Sequence, residues 1–91
     1  MTVVRVVWSP SALAETGHIY DYVADFNPLA AGDLATALLA AGNSLVDLSE
    51  RGRRVGDNLR ELTTVYPYII RYEIRGEEVH ILRVRHGMRR Q

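Results

Sequence analysis

Ninety-one residues, 47% hydrophobic and 24% charged, are the composition of one small globular domain, which excludes a disordered chain and a multidomain protein. The chain has no cysteine, so it can form neither disulfides nor a thiolate metal site. Net charge is zero, yet residues 1–50 hold one arginine against six carboxylates, and residues 51–91 hold ten arginines against five, with no lysine anywhere. The N-terminal run Met1–Trp8 is too short for a signal peptide, and no apolar run approaches the roughly 20 residues that span a bilayer. A cytoplasmic, reducing setting without membrane contact is therefore expected.

In chain order, the β-branched run Val3-Val4-Arg5-Val6-Val7-Trp8 predicts a first strand. Ser9-Pro10 reads as an N-cap followed by proline in the first turn, opening a helix. Its apolar stripe is Ala12, Ile19, Val23 and Phe26, broadened by Leu13 and Tyr20. Asn27-Pro28 repeats the start signal for a second, longer helix, with Leu34, Leu38, Ala41, Leu45 and Leu48 on one face. Gly32 and Gly42 within it suggest a close approach of the two helices, and Arg51-Gly52-Arg53-Arg54 reads as its basic last turn.

Three strands should follow. Leu59–Val65 is short, and Tyr66-Pro67 marks a turn or an edge start. Tyr68, Ile70, Tyr72 and Ile74 share a face by the two-residue period. Arg75-Gly76-Glu77-Glu78 predicts a hairpin turn into a last strand, Val79–Arg85. The expected fold is α+β with element order β-α-α-β-β-β: a helical hairpin on a largely antiparallel four-stranded sheet, in a single domain over residues 1–91.

Chemistry-bearing residues concentrate at the C-terminus. "RVRHGMRRQ" holds Arg83, Arg85, Arg89 and Arg90 with His86 and no carboxylate, so it is either a solvated end or a surface that meets something negative. His18, His80 and His86 are too scattered for a metal site, and no cofactor is expected. His18 and His80 read as surface residues. Tyr68 and Tyr72, in line with isoleucines, read as core rather than as stacking platforms.

The order of "WSPSA", "NLREL", "YIIRYEI" and "VHILRVRHGMRR" from Trp8 to Arg90 resembles the RelE/ParE family, the toxin halves of type II toxin–antitoxin modules. The resemblance implies the same β-α-α-β-β-β fold, growth arrest, a part in plasmid stabilisation, and two candidate activities. RelE-like members cut mRNA on the ribosome; ParE-like members poison DNA gyrase. A ribonuclease of this kind needs a base, an acid and cations for the developing phosphorane charge. By the family pattern Arg60, His86 and Arg89 are the candidates here, whereas the strand position that carries an arginine in the nucleases is Ile69. The ending "RHGMRR" is similar to ParE-like tails. The resemblance therefore implies a gyrase inhibitor, with an mRNA endonuclease as the first alternative and a non-toxic, antitoxin-binding relative as the second. It also implies a cognate antitoxin, of ribbon-helix-helix type, whose C-terminal segment wraps the toxin. The candidate surface for target or antitoxin is Arg60, Arg83, Arg85, His86, Arg89 and Arg90, with Arg60 also placed to pair with a nearby carboxylate.

Overall fold

The computed structural model describes residues 2–88. Both predicted helix starts are in place, each for the expected reason. Ser9 accepts the Ala12 N–H at 3.0 Å ahead of α1 (Pro10–Ala24), and Asn27 accepts the Ala30 N–H at 3.1 Å ahead of α2 (Pro28–Asn43). The Ser9 hydroxyl also donates to Leu82 O, which ties the cap of α1 to the last strand.

The sheet has five strands, one more than expected: β1 (Arg5–Trp8), β2 (Arg53–Gly56), β3 (Leu59–Leu62), β4 (Tyr68–Arg75) and β5 (Glu78–His86), in the order β1-β5-β4-β3-β2. Strands β2 to β5 form an antiparallel meander, and β1 joins β5 in parallel after the helical hairpin has crossed the sheet. β1 pairs only with Glu78–Ile81, so it does not cover the outer edge of β5 beyond Ile81.

Several expectations change. The second helix does not reach Gly52. It ends at Asn43, where the Ser44 hydroxyl donates to Ala41 O, and a 3-10 turn (Ser44–Val46) follows. The basic run read as its last turn is instead strand and approach to strand. Gly52 donates its N–H to the Tyr72 hydroxyl, a Cβ there would lie 2.7 Å from that ring, and Arg53 and Arg54 pair with Glu61 and Arg60. Leu48, left beyond the helix, is exposed, as is Phe26, which follows the end of α1 and stacks edge-on against Tyr22. Leu13 and Tyr20 are also exposed; the buried stripe of α1 is Ala12 and Thr16, with Ile19 packed against it, and the Thr16 hydroxyl donates back to Ala12 O. The close approach at Gly42 is to the sheet, not to α1: a Cβ there would stand 2.4 Å from the Trp8 ring and 2.7 Å from Ile81. Gly32 has no neighbour within 4 Å of such an atom.

Pro28–Val46 is, against the sequence expectation, long and apolar enough by length and composition to cross a membrane: 19 residues of mean hydropathy 1.4. In this fold its Leu38, Ala41 and Leu45 join Ala12 and the sheet residues Leu62, Ile70, Tyr72, Val79, Ile81 and Val84 in one core. Those positions define the helix-covered face. By strand alternation, Arg53, Glu61, Ile69, Arg71 and Arg85 belong to the opposite, open face.

Candidate functional site

Among the described residues, those singled out from the sequence do not assemble into one centre. Arg60 is paired with Tyr72 and lies on the helix-covered face. Among the described residues it meets no carboxylate: its Nη1 donates to Glu50 O at 3.1 Å and Gly52 O at 2.8 Å, holding the segment that leads into β2. The same segment is held by Tyr72, fully buried, whose hydroxyl donates to Ser49 O and accepts the Gly52 N–H, both at 2.8 Å. Burial raises the pKa of that phenol, against the Gly52 hydrogen bond and the nearby Arg60 charge. Tyr72 is thus core, as expected.

His86 is paired with Tyr68, four positions along β4 from the partner of Arg60 and on the other flanking strand. Four residues of strand are about 13 Å. The imidazole stands edge-on to Tyr68, centroids 5.4 Å apart, and its Nδ1 accepts the Met88 N–H at 3.0 Å. That bond places the ring proton on Nε2 and uses the lone pair of Nδ1. His86 and Tyr68 line a groove of about 460 Å³ with His18, Ile19 and Tyr22 of α1.

The arginines of β5 part company. Arg83 Nε donates to Glu15 of α1 at 2.7 Å, and the other oxygen of that carboxylate accepts the Val84 N–H at 2.8 Å, on the stretch of β5 that β1 leaves uncovered. Arg85 turns to the open face. Arg89 and Arg90 lie outside the described residues.

What the structure does assemble is a cluster around Glu61, the residue that follows Arg60 in β3. Three guanidiniums from three strands converge on its carboxylate. Arg71 donates through Nε (3.1 Å) and Nη2 (2.7 Å) to one oxygen, Arg85 lies 3.5 Å from the same oxygen, and Arg53 reaches the other at 3.3 Å. Burial pushes the pKa of Glu61 up, but the Arg71 hydrogen bonds and the charges of Arg71, Arg85 and Arg53 outweigh it, so the carboxyl sits below its ordinary range. Glu61 is 5% exposed although it faces away from the core, because the arginines roof it over. A signal for this existed in the chain: acid and base fall on matching strand positions at Arg53, Glu61 and Arg71. It becomes readable only once β2 is known to be a strand.

The open face continues as a chain of opposite charges. Arg5 bonds Glu78, His80 Nε2 meets Glu78 at 2.9 Å, Arg75 approaches the other nitrogen of His80 at 3.4 Å, and Arg75 bonds Glu73. His80, expected to be exposed, is thus half-covered in this ladder. Among the described residues no group of three or more histidines and carboxylates is placed to hold a metal ion.

The fold and sequence have relatives. Residues 6–91 match the family model described as ParE toxin of the type II toxin–antitoxin system parDE. The chain is 47% identical over 85 residues to Toxin RelE2 of Caulobacter vibrioides, spanning 93% of this chain and 97% of that one. It is 34% identical over 86 residues to Toxin RelE1 of the same organism, spanning 91% and 92%. Among solved structures, a chain of the chromosomal ParDE system from P. aeruginosa superposes with a TM-score of 0.80 at 24% identity, covering 92% of this chain and 96% of its own.

Proposed function

This chain belongs to the RelE/ParE family of type II toxin–antitoxin toxins, and from that premise we propose that it is a toxin that acts in the cytoplasm by protein contact with DNA gyrase and is silenced by a ribbon-helix-helix antitoxin with a wrapping C-terminal segment. The observation that carries the choice of target is the separation of Arg60 from His86, the two ribonuclease candidates among the described residues. Cleavage through a 2′-hydroxyl requires base, acid and cations within hydrogen-bond reach of one phosphate. Arg60 is committed to backbone carbonyls, and His86 is stacked on Tyr68 with one nitrogen already used. Ile69 offers no charge on the open face. Glu61 is no substitute base, since its lone pairs are taken by arginines and its pKa is depressed.

The second reading, an mRNA endonuclease, is supported by the RelE names of the two curated relatives. Two assays on the purified protein separate the readings. Inhibition of gyrase supercoiling, with mRNA left intact on translating ribosomes, is expected. Codon-positioned cuts that vanish in His86→Ala would replace the gyrase reading with the endonuclease. Induction in a bacterial host should arrest growth, and the adjacent small gene should relieve it; normal growth at confirmed expression would instead support the non-toxic antitoxin-binding relative.

A further inference from the structure

Around Glu61 the open face presents three arginines, on β2, β4 and β5, an arrangement that would ordinarily attract nucleic-acid phosphates. We propose that Glu61 is a resident anion that closes this cluster to nucleic acid. The inference deepens the protein-contact reading above and rests on it.

The geometry carries the argument. A phosphate is gripped best by the Nε–Nη edge of a guanidinium, through two parallel hydrogen bonds. On Arg71 that edge is occupied by Glu61 Oε2, at 3.1 and 2.7 Å. Among the described residues, Arg85, whose side chain is only 24% exposed, has as its one polar side-chain contact the same oxygen at 3.5 Å, and Arg53 reaches the other oxygen. A phosphate bridging any two of these cations would approach a carboxylate that is buried, ionised and unable to turn away. Like charges a few ångströms apart with little water between them repel strongly. Further along the face the sign keeps alternating, through Glu73, Arg75, Glu78 and Arg5. A duplex backbone, with a negative charge about every 1.7 Å of its axis, finds no continuous positive track.

The test is nucleic-acid binding by the full chain. Labelled single-stranded RNA and duplex DNA of roughly 20 nucleotides or base pairs, enough to cover the whole face, are titrated at physiological salt. The wild type should show no saturable binding. Glu61→Gln should bind both probes at least about tenfold tighter, with steep salt dependence, and adding Arg85→Gln should remove the gain. A second variant guards against misfolding. Glu61→Met with Arg71→Met replaces the ion pair by apolar side chains, a change often neutral for stability. It frees Arg53 and Arg85 of the resident anion, so it should also gain binding. Wild-type binding as tight as that of the variants overturns the proposal, as does the absence of a gain in every folded variant or a gain insensitive to Arg85. Gyrase supercoiling by the wild type tests the underlying reading separately, so the two can fail independently.

Discussion

At the scale of single residues, two charged side chains hold this structure from opposite faces of one strand, and both make measurable predictions. Glu61 has a folded pKa below its ordinary value, so its contribution to stability is fully present above the unfolded carboxylate pKa, about 4.3, and is lost as pH falls through the folded value. Glu61→Gln should lower stability at neutral pH by about 1.5–3 kcal/mol, the range for losing a hydrogen bond to a charged group. The gap between wild type and variant should narrow steadily in thermal melts taken from neutral to strongly acidic pH. A gap that stays constant would mean the carboxylate is not the source of the difference. Arg60, next to it in β3, points to the other side and binds Glu50 O and Gly52 O. Arg60→Ala should therefore lower the melting temperature, with a loss again of about 1.5–3 kcal/mol. Any loss of toxicity in that variant should follow from the loss of folded protein, which a melt and an expression-matched growth assay can compare directly.

At the scale of elements, the two glycines of α2 have opposite roles, and substitution should reveal it by sign. Gly42→Ala forces a methyl group into the Trp8 ring and Ile81, both under 3 Å away, and overpacking of this kind costs about 1–3 kcal/mol. It should also disturb the Trp8 Nε1–H bond to Asn43, and the emission of the single tryptophan reports that change. Gly32→Ala meets nothing within 4 Å and should stabilise the helix by about 0.5–1 kcal/mol through propensity alone. Paired melts of the two variants check both signs. The same helix shows where the chain was legible. Its start was readable because Asn27-Pro28 acts locally, through one hydrogen bond and one fixed dihedral. Its end was not, because Leu45 and Leu48 keep the helical spacing past Asn43, where the Ser44 side chain bonds back to the helix. Strand β2 was missed for the complementary reason. Arg53-Arg54-Val55-Gly56 has no hydrophobic alternation, and it is a strand because β3 lies beside it. With β2 unseen, the facing of Arg53 towards Glu61 was invisible, and so was the one arginine cluster that the described residues assemble. By contrast, Tyr68–Ile74 and Val79–Arg85 alternate cleanly, and both were placed within a residue or two.

At the scale of the whole molecule, the charge asymmetry of the sequence becomes an asymmetry of layers. Six acids precede residue 51, and Asp21, Asp25 and Asp33 lie exposed on or next to the helices, while ten of eleven arginines belong to the second half, most of it sheet. Few ion pairs cross between the layers; Arg83 with Glu15 is one. Within the sheet, Arg53, Arg71 and Arg85 share one acid. The sheet side is therefore net positive, and the tail beyond His86 adds Arg89 and Arg90 with no further acid. A field of this kind raises the rate of encounter with an acidic protein surface and falls with salt. Among the described residues the core and the strand pairing reach no further than His86, so reversing the two arginines beyond should leave the fold intact. Arg89→Glu with Arg90→Glu is expected to keep the melting temperature within a few degrees of wild type and to abolish growth arrest, since losing charge-assisted contacts costs about 1.5–3 kcal/mol each. Measuring antitoxin affinity on the same variant assigns the surface. Unchanged affinity with lost toxicity ties the tail to the target, and weakened affinity makes it a surface that target and antitoxin share. Full toxicity in the double variant would show that the arginines at the end of this chain are there only for water.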